Sequence, residues 1–126
     1  MVEKEFINDP ATPRAGPYTH IVKAGNLIFI SGQGPKPGTD NIKDQTSTTF
    51  ENVKKLLETA GAQVSDIVKV QVFLNDMSLF KKMNRAYKKF FKENGVTENF
   101  PARTAVEVAE LPVPGMLLEI DVIAAV

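Results

Sequence analysis

The chain predicts an α+β fold, a two-layer sandwich in which a mixed sheet carries two helices on one face. Two windows place apolar residues at helical spacing, while the other apolar runs are short, β-branched and bounded by turn residues. The elements follow the order ββαβαββ, and pairing all the strands in one sheet leaves both helices on a single side. The closing run, Leu117 to Ala125, alternates cleanly enough to assign a face to every residue.

The first segment, to about Gly16, is rich in Pro, Asn and Ala without a sustained period, and is expected to lie as an irregular arm over the fold. Ile21–Ala24 and Leu27–Ser31 flank Gly25-Asn26, a dipeptide suited to a tight reversal, so they form a hairpin. The second strand ends in Ser31-Gly32-Gln33-Gly34. Pro35, Pro37 and Gly38 oppose regular structure up to Asn41. Phe50, Val53, Leu56, Leu57 and Ala60 predict an amphipathic helix over Gln45–Ala60, with Gly61 as its left-handed stop.

Ile67–Leu74 is dense in β-branched residues, with Lys69 and Gln71 alternating outward, and reads as a strand with one wetter face. Asn75-Asp76 makes a turn. Ser78 is expected to cap a second helix, whose stripe of Phe80, Met83, Tyr87, Phe90 and Phe91 is buried and which ends at Gly95. Thr104–Val108 and Leu117–Ala125 are the last strands, joined by a loop through Pro112, Pro114 and Gly115. In the final strand Leu117, Glu119, Asp121, Ile123 and Ala125 share one side, and Leu118, Ile120, Val122, Ala124 and Val126 the other. The second half of this strand is apolar on both sides, and a two-layer domain has no third layer to bury it. An oligomer meeting on the open sheet faces is therefore expected, with clefts at the sheet rim.

Composition excludes several functions. At 126 residues the chain suits one domain, residues 1–126, burying roughly two thirds of its unfolded surface. Fifteen basic residues balance fifteen acidic ones, so no net field draws the molecule to nucleic acid or an anionic membrane. With no cysteine there are no disulfides, thiolate metal sites or cysteine nucleophile. No clustered metal ligands are present, and no cofactor is implied. The opening residues lack a basic n-region and an apolar h-region, and no apolar run approaches the roughly 18 residues of a membrane span, so a cytoplasmic location is expected.

The stretch Asn99 to Glu110 carries the chemistry. It places Arg103 at the mouth of an apolar strand directly after a proline turn, and a planar guanidinium there is suited to grip a small carboxylate through two parallel hydrogen bonds. Gly16-Pro17-Tyr18, Ser31-Gly32-Gln33, Asn84 with Tyr87, Phe100-Pro101-Ala102-Arg103 followed by Val106-Glu107-Val108-Ala109, and Glu119 to Ala124 then occur in collinear order. Together these motifs resemble the YjgF/YER057c/RidA family, the reactive intermediate deaminases, also called L-PSP endoribonucleases or translation inhibitors. The resemblance runs from about Gly16 to Ala125. It implies a chorismate-mutase-like homotrimer with sites at subunit interfaces, hydrolysing 2-iminobutanoate and 2-iminopropanoate to 2-oxo acids and ammonia.

By that resemblance Arg103 clamps the substrate carboxylate, Glu119 steers and deprotonates a water, and Tyr18 hydrogen-bonds the substrate or assists proton transfer. Ser31 and the Gly32 backbone line the pocket, with Asn84 and the Ala105 backbone as further binding candidates. Departures from the common pattern are Ala105 in place of a cysteine, Gly34 in place of an aliphatic residue, Asp121 in place of a glutamate, and the Pro112–Gly115 loop. Loss of the cysteine at Ala105 implies a slightly roomier pocket with its arginine clamp retained, Asp121 keeps the pocket polar because it shares a strand face with Glu119, and the loop bears on the local interface.

Duller readings compete with each residue. Arg103 could pair with Glu107 on its own strand face, Glu119 could be solvated, Tyr18 could staple the arm, and Ser31-Gly32 could be only a strand end. The sole histidine, His20, could be imagined with Ser31 and Asp121 as a hydrolase triad, but no nucleophile elbow surrounds Ser31. Gly32-Gln33-Gly34 lacks the rest of a phosphate-binding fingerprint. Lys81, Lys82, Arg85, Lys88, Lys89 and Lys92 crowd the second helix and keep RNA cleavage as a second reading. A non-catalytic, carboxylate-binding regulatory trimer is a third.

Overall fold

The computed structural model describes residues 1–126. Six strands form one sheet: β1 (Lys4–Ile7), β2 (Ile21–Ala24), β3 (Leu27–Gln33), β4 (Ile67–Leu74), β5 (Ala102–Glu107) and β6 (Leu118–Ala125). Helices α1 (Ile42–Thr59) and α2 (Phe80–Glu93) complete the fold. The sheet order is β1-β2-β3-β6-β4-β5, antiparallel throughout except for the parallel pair β4–β5 that α2 connects.

The expected order ββαβαββ omits β1. Within the segment read as an irregular arm, Lys4–Ile7 pairs antiparallel with β2, from Lys4 opposite Ala24 to Ile7 opposite Ile21. The strand is mostly exposed and charged, with only Ile7 packed against the core, so backbone pairing does most of the holding and no hydrophobic alternation marks it.

Helix α1 starts three residues earlier than its apolar period indicates, because Asn41 caps it. Its side-chain oxygen accepts from the Asp44 N–H at 2.9 Å. The first turns bury polar residues whose bonds are all internal. Gln45 donates to the carbonyls of Thr39 and Gly115 and accepts from the Leu117 N–H, while Thr46 returns its hydroxyl to Ile42. Asp76, rather than Ser78, caps the next helical segment: its carboxylate accepts the Ser78 N–H at 2.8 Å, and a 3₁₀ turn over Met77–Leu79 leads into α2.

Both helices pack on one sheet face. The side chains of Leu118, Ile120, Val122 and Ala124 are buried beneath them, in line with the alternation expected for β6. Between the layers Phe50 of α1 stacks on Phe90 of α2 at 4.4 Å and meets Tyr87 and Phe91 edge-on. No helix covers the other sheet face. It leaves Phe6 63% and Phe29 40% exposed, with Phe29 opposite Ile123 of β6. No helix of the chain is long and apolar enough to cross a membrane.

Candidate functional site: two half-sites on opposite faces

Arg103 sits on edge strand β5, opposite Val70 of β4, whose side chain is fully buried on the helix side. It therefore leans toward α2. Its guanidinium lies 4.8 Å above the Tyr87 ring and 5.5 Å from that of Phe80, and one N–H donates to the Asn84 side-chain oxygen at 2.7 Å. The remaining guanidinium donors stay available in a pre-oriented plane. Ala105, two residues on, lies on the same face against the core. The Tyr87 hydroxyl is buried without a partner, and burial pushes its pKa up to about 12 against the opposing pull of Arg103. Tyr87 is thus a neutral aromatic floor for the cation. Glu107 does not pair with Arg103; it accepts the Met77 N–H at 2.7 Å instead.

Glu119 belongs to the other phase of β6, opposite Phe73 and away from the helices. A bulge in β3 between Ile30 and Gln33 brings Gly32 beside it. A Cβ at residue 32 would stand 2.5 Å from one Glu119 carboxylate oxygen, so only glycine leaves the carboxylate its position. Burial, and then the charge of Asp121, raise the Glu119 pKa. Burial also raises that of Asp121.

A cavity of about 740 Å³ opens at this carboxylate, walled by Tyr18, Ser31, Gly32, Met116 and the arm around Arg14. The Tyr18 hydroxyl accepts from the Ala15 N–H at 3.3 Å, and its own proton is left for another acceptor. Ser31 gives its hydroxyl proton to the Thr19 carbonyl. The Met116 methyl lies 2.7 Å from where a Cβ of residue 34 would be, so methionine occupies the space that an aliphatic side chain would take there.

Tyr18, Ser31, Gly32 and Glu119 therefore gather in one place, and Arg103, Asn84 and Ala105 in another. Within one chain the two groups do not meet. They lie on opposite sheet faces, two strands apart and three residues out of register, about 10 Å across the sheet and about 10 Å along it. The imagined triad is not assembled either. His20 is fully buried, and its Nδ1 accepts the Asp9 N–H at 3.0 Å while Nε2 faces the Pro13 carbonyl at 3.3 Å. No group of three His, Cys, Asp or Glu side chains converges to hold a metal. Three contributors carry no site role in the sequence alone. Phe80 reads only as core and Tyr87 as core and as part of the family motif, since helical spacing does not reveal which aromatic lies under an arginine from another element. Arg14 carried no signal in an aperiodic segment.

The model of the family described as Endoribonuclease L-PSP matches residues 8–126. The chain is 45% identical to a RutC family protein of Pyrococcus horikoshii, over 96% of this chain and 97% of the relative. It is 40% identical to the 2-iminobutanoate/2-iminopropanoate deaminase of Escherichia coli, over 98% of each. The crystal structure of the Escherichia coli YjgF gene product superposes with a TM-score of 0.86 at 39% identity, covering 96% of this chain and 98% of that one. With its two-layer sheet, its arginine edge and its glycine-flanked glutamate, the chain belongs to the YjgF/RidA family.

Proposed function

We propose that this protein hydrolyses 2-imino acids such as 2-iminobutanoate and 2-iminopropanoate to 2-oxo acids and ammonia, at sites shared between copies of the chain. One observation carries the reading: a pre-oriented guanidinium and a carboxylate of raised pKa occupy separate places on opposite faces of one sheet. The uncovered sheet face, with Phe6, Phe29 and Ile123, supplies the surface on which copies assemble. A homotrimer places Arg103 of one copy against Glu119 of the next.

In such a site Arg103 holds the substrate carboxylate, with Asn84 fixing its plane. Ionised Glu119 takes a proton from water as the oxygen bonds to C2, the C=N electron pair moves to nitrogen, and Glu119 passes the proton to that nitrogen. The carbinolamine then collapses. Glu119 carries its hydroxyl proton to nitrogen, the C=O bond forms and the C–N bond breaks, with nitrogen departing as ammonia. Nothing is oxidised or reduced. Tyr18 donates to the substrate, while Ser31, the Gly32 backbone and the Ala105 backbone line the imine. Because imines already hydrolyse in water, orientation and charge placement are the catalyst's main contributions.

The test is complementation. Arg103→Ala and Glu119→Gln proteins should each be inactive on 2-iminobutanoate generated in situ. After subunit exchange at equal amounts, random cyclic assembly should restore about one quarter of the wild-type sites. No recovery despite demonstrated exchange would place both groups in one copy and defeat the shared-site mechanism. Binding of a small 2-oxo acid without any imine turnover would favour the regulatory reading.

Gly32→Ala offers a further check. Its methyl collides with the movable end of Glu119, so the carboxylate shifts while the strand stays. We expect a loss of at least about tenfold in kcat/KM, with an unfolding midpoint close to wild type. RNA cleavage is the second reading, favoured by the description of the matched family and by the exposed cations Lys81, Lys82, Arg85, Lys88, Lys89 and Lys92 of α2. The measurement for it is RNA binding as a function of salt.

A further inference from the structure

From the arm that walls the Glu119 cavity, and resting on the deaminase reading above, we propose that the substrate class extends to 2-imino acids with a second carboxylate on the side chain, held by Arg14. The arm is built, not loose. Asn8 accepts the His20 N–H at 3.1 Å, and the His20 ring takes the Asp9 N–H. The Asp9 carboxylate accepts from the Ala11 N–H at 3.0 Å and the Thr12 hydroxyl at 2.7 Å, and pairs with Lys55 at 3.2 Å. Residues 8 to 13 are thereby pinned to β2 and α1, and Arg14 follows directly.

Arg14 then spends one N–H on the Tyr18 carbonyl at 3.1 Å, which holds the guanidinium at the cavity wall. It joins no ion pair, whereas the charge of Lys55, the other cation lining the cavity, is matched by Asp9. Glu119 is the one carboxylate of the lining, so the cavity presents one unmatched cation and one acid. Arg103 from another copy accounts for the carboxylate next to the imine. Arg14 faces what lies beyond C2. A guanidinium grips a carboxylate in two parallel bonds, which fits the imines of acidic amino acids, 2-iminosuccinate and 2-iminoglutarate. The hydrolysis is the one written above, with the second carboxylate unchanged.

Product affinity and turnover test this together. Titrations of 2-oxoglutarate and 2-oxobutanoate would be compared in wild type and in Arg14→Gln, which keeps a polar side chain without the charge. Wild type should prefer 2-oxoglutarate, and the substitution should weaken it by about tenfold relative to 2-oxobutanoate, the loss of one charge-assisted contact. The kcat/KM ratio for imines made from aspartate and from 2-aminobutanoate by an amino-acid oxidase should fall equally. Equal wild-type affinities overturn the proposal. Parallel weakening of both ligands also overturns it, by showing that Arg14 holds the carboxylate common to all 2-imino acids. If Arg103→Ala leaves 2-iminobutanoate turnover intact, the deaminase mechanism itself has failed; if it abolishes turnover and the ratio is unaffected by Arg14→Gln, only the substrate extension has.

Discussion

Replacing Arg103 with alanine is expected to cut kcat/KM for 2-iminobutanoate by at least about a hundredfold, because it removes both a charge-assisted carboxylate contact and the orientation that contact imposes. The guanidinium is already held before substrate arrives: Asn84 fixes one nitrogen, and Tyr87 and Phe80 support its face. Little of the binding energy is then needed to order it. Arg103→Lys should recover only a small part of the loss, since an ammonium cannot match the carboxylate in two parallel bonds or keep the planar stacking. Stability should change little, because an exposed cation–π contact contributes about 0.5–1 kcal/mol. The measurement is imine decay followed by trapping of the remaining substrate, with chemical unfolding of both variants alongside. Retention of more than a third of the wild-type rate by Arg103→Ala would remove the clamp from the mechanism.

Glu119→Gln is expected to pull activity and stability in opposite directions. Turnover should fall by about 100-fold or more, the usual contribution of a positioned general base. In wild type, kcat/KM should climb with pH as Glu119 ionises above the ordinary carboxylate range, and this limb should vanish in the variant. The stability change has the opposite sign. At pH below the ordinary glutamate value both folded and unfolded chains hold the proton, and Glu119 costs nothing. As pH rises the unfolded chain ionises first, because burial and Asp121 hold the folded carboxyl in its neutral form. The penalty therefore grows through the window up to the raised folded value and is constant above it. Urea midpoints at pH 4 and pH 7 should show Glu119→Gln gaining on wild type as pH rises. A gap that shrinks instead would mean that the carboxylate is stabilised in the fold, and the general-base assignment would lose its electrostatic basis.

The strands and helices were legible wherever a period had one cause. The burial of Leu118, Ile120, Val122 and Ala124 follows from alternation, and α2 from its aromatic stripe, because these patterns record which side of an element meets the core. Legibility failed where polar groups replaced apolar ones. The first turns of α1 are buried through Thr46, which bonds back to Ile42, and Gln45, whose hydrogen bonds reach Gly115 and Leu117, some 70 residues away, and β1 is held by backbone pairing with one side chain, Ile7, against the core.

What the sequence by itself determined was the family, the two layers and the identity of the chemical groups, because periodicity and motif spacing are properties of the chain alone. Tertiary structure decided their placement. Alternation assigns Arg103 and Glu119 each to one side of its strand, but which side meets the helices depends on strand order and register, set by packing between distant segments. That is why Arg103 and Glu119 lie on opposite faces of one sheet, and why the proposed site needs two copies of the chain.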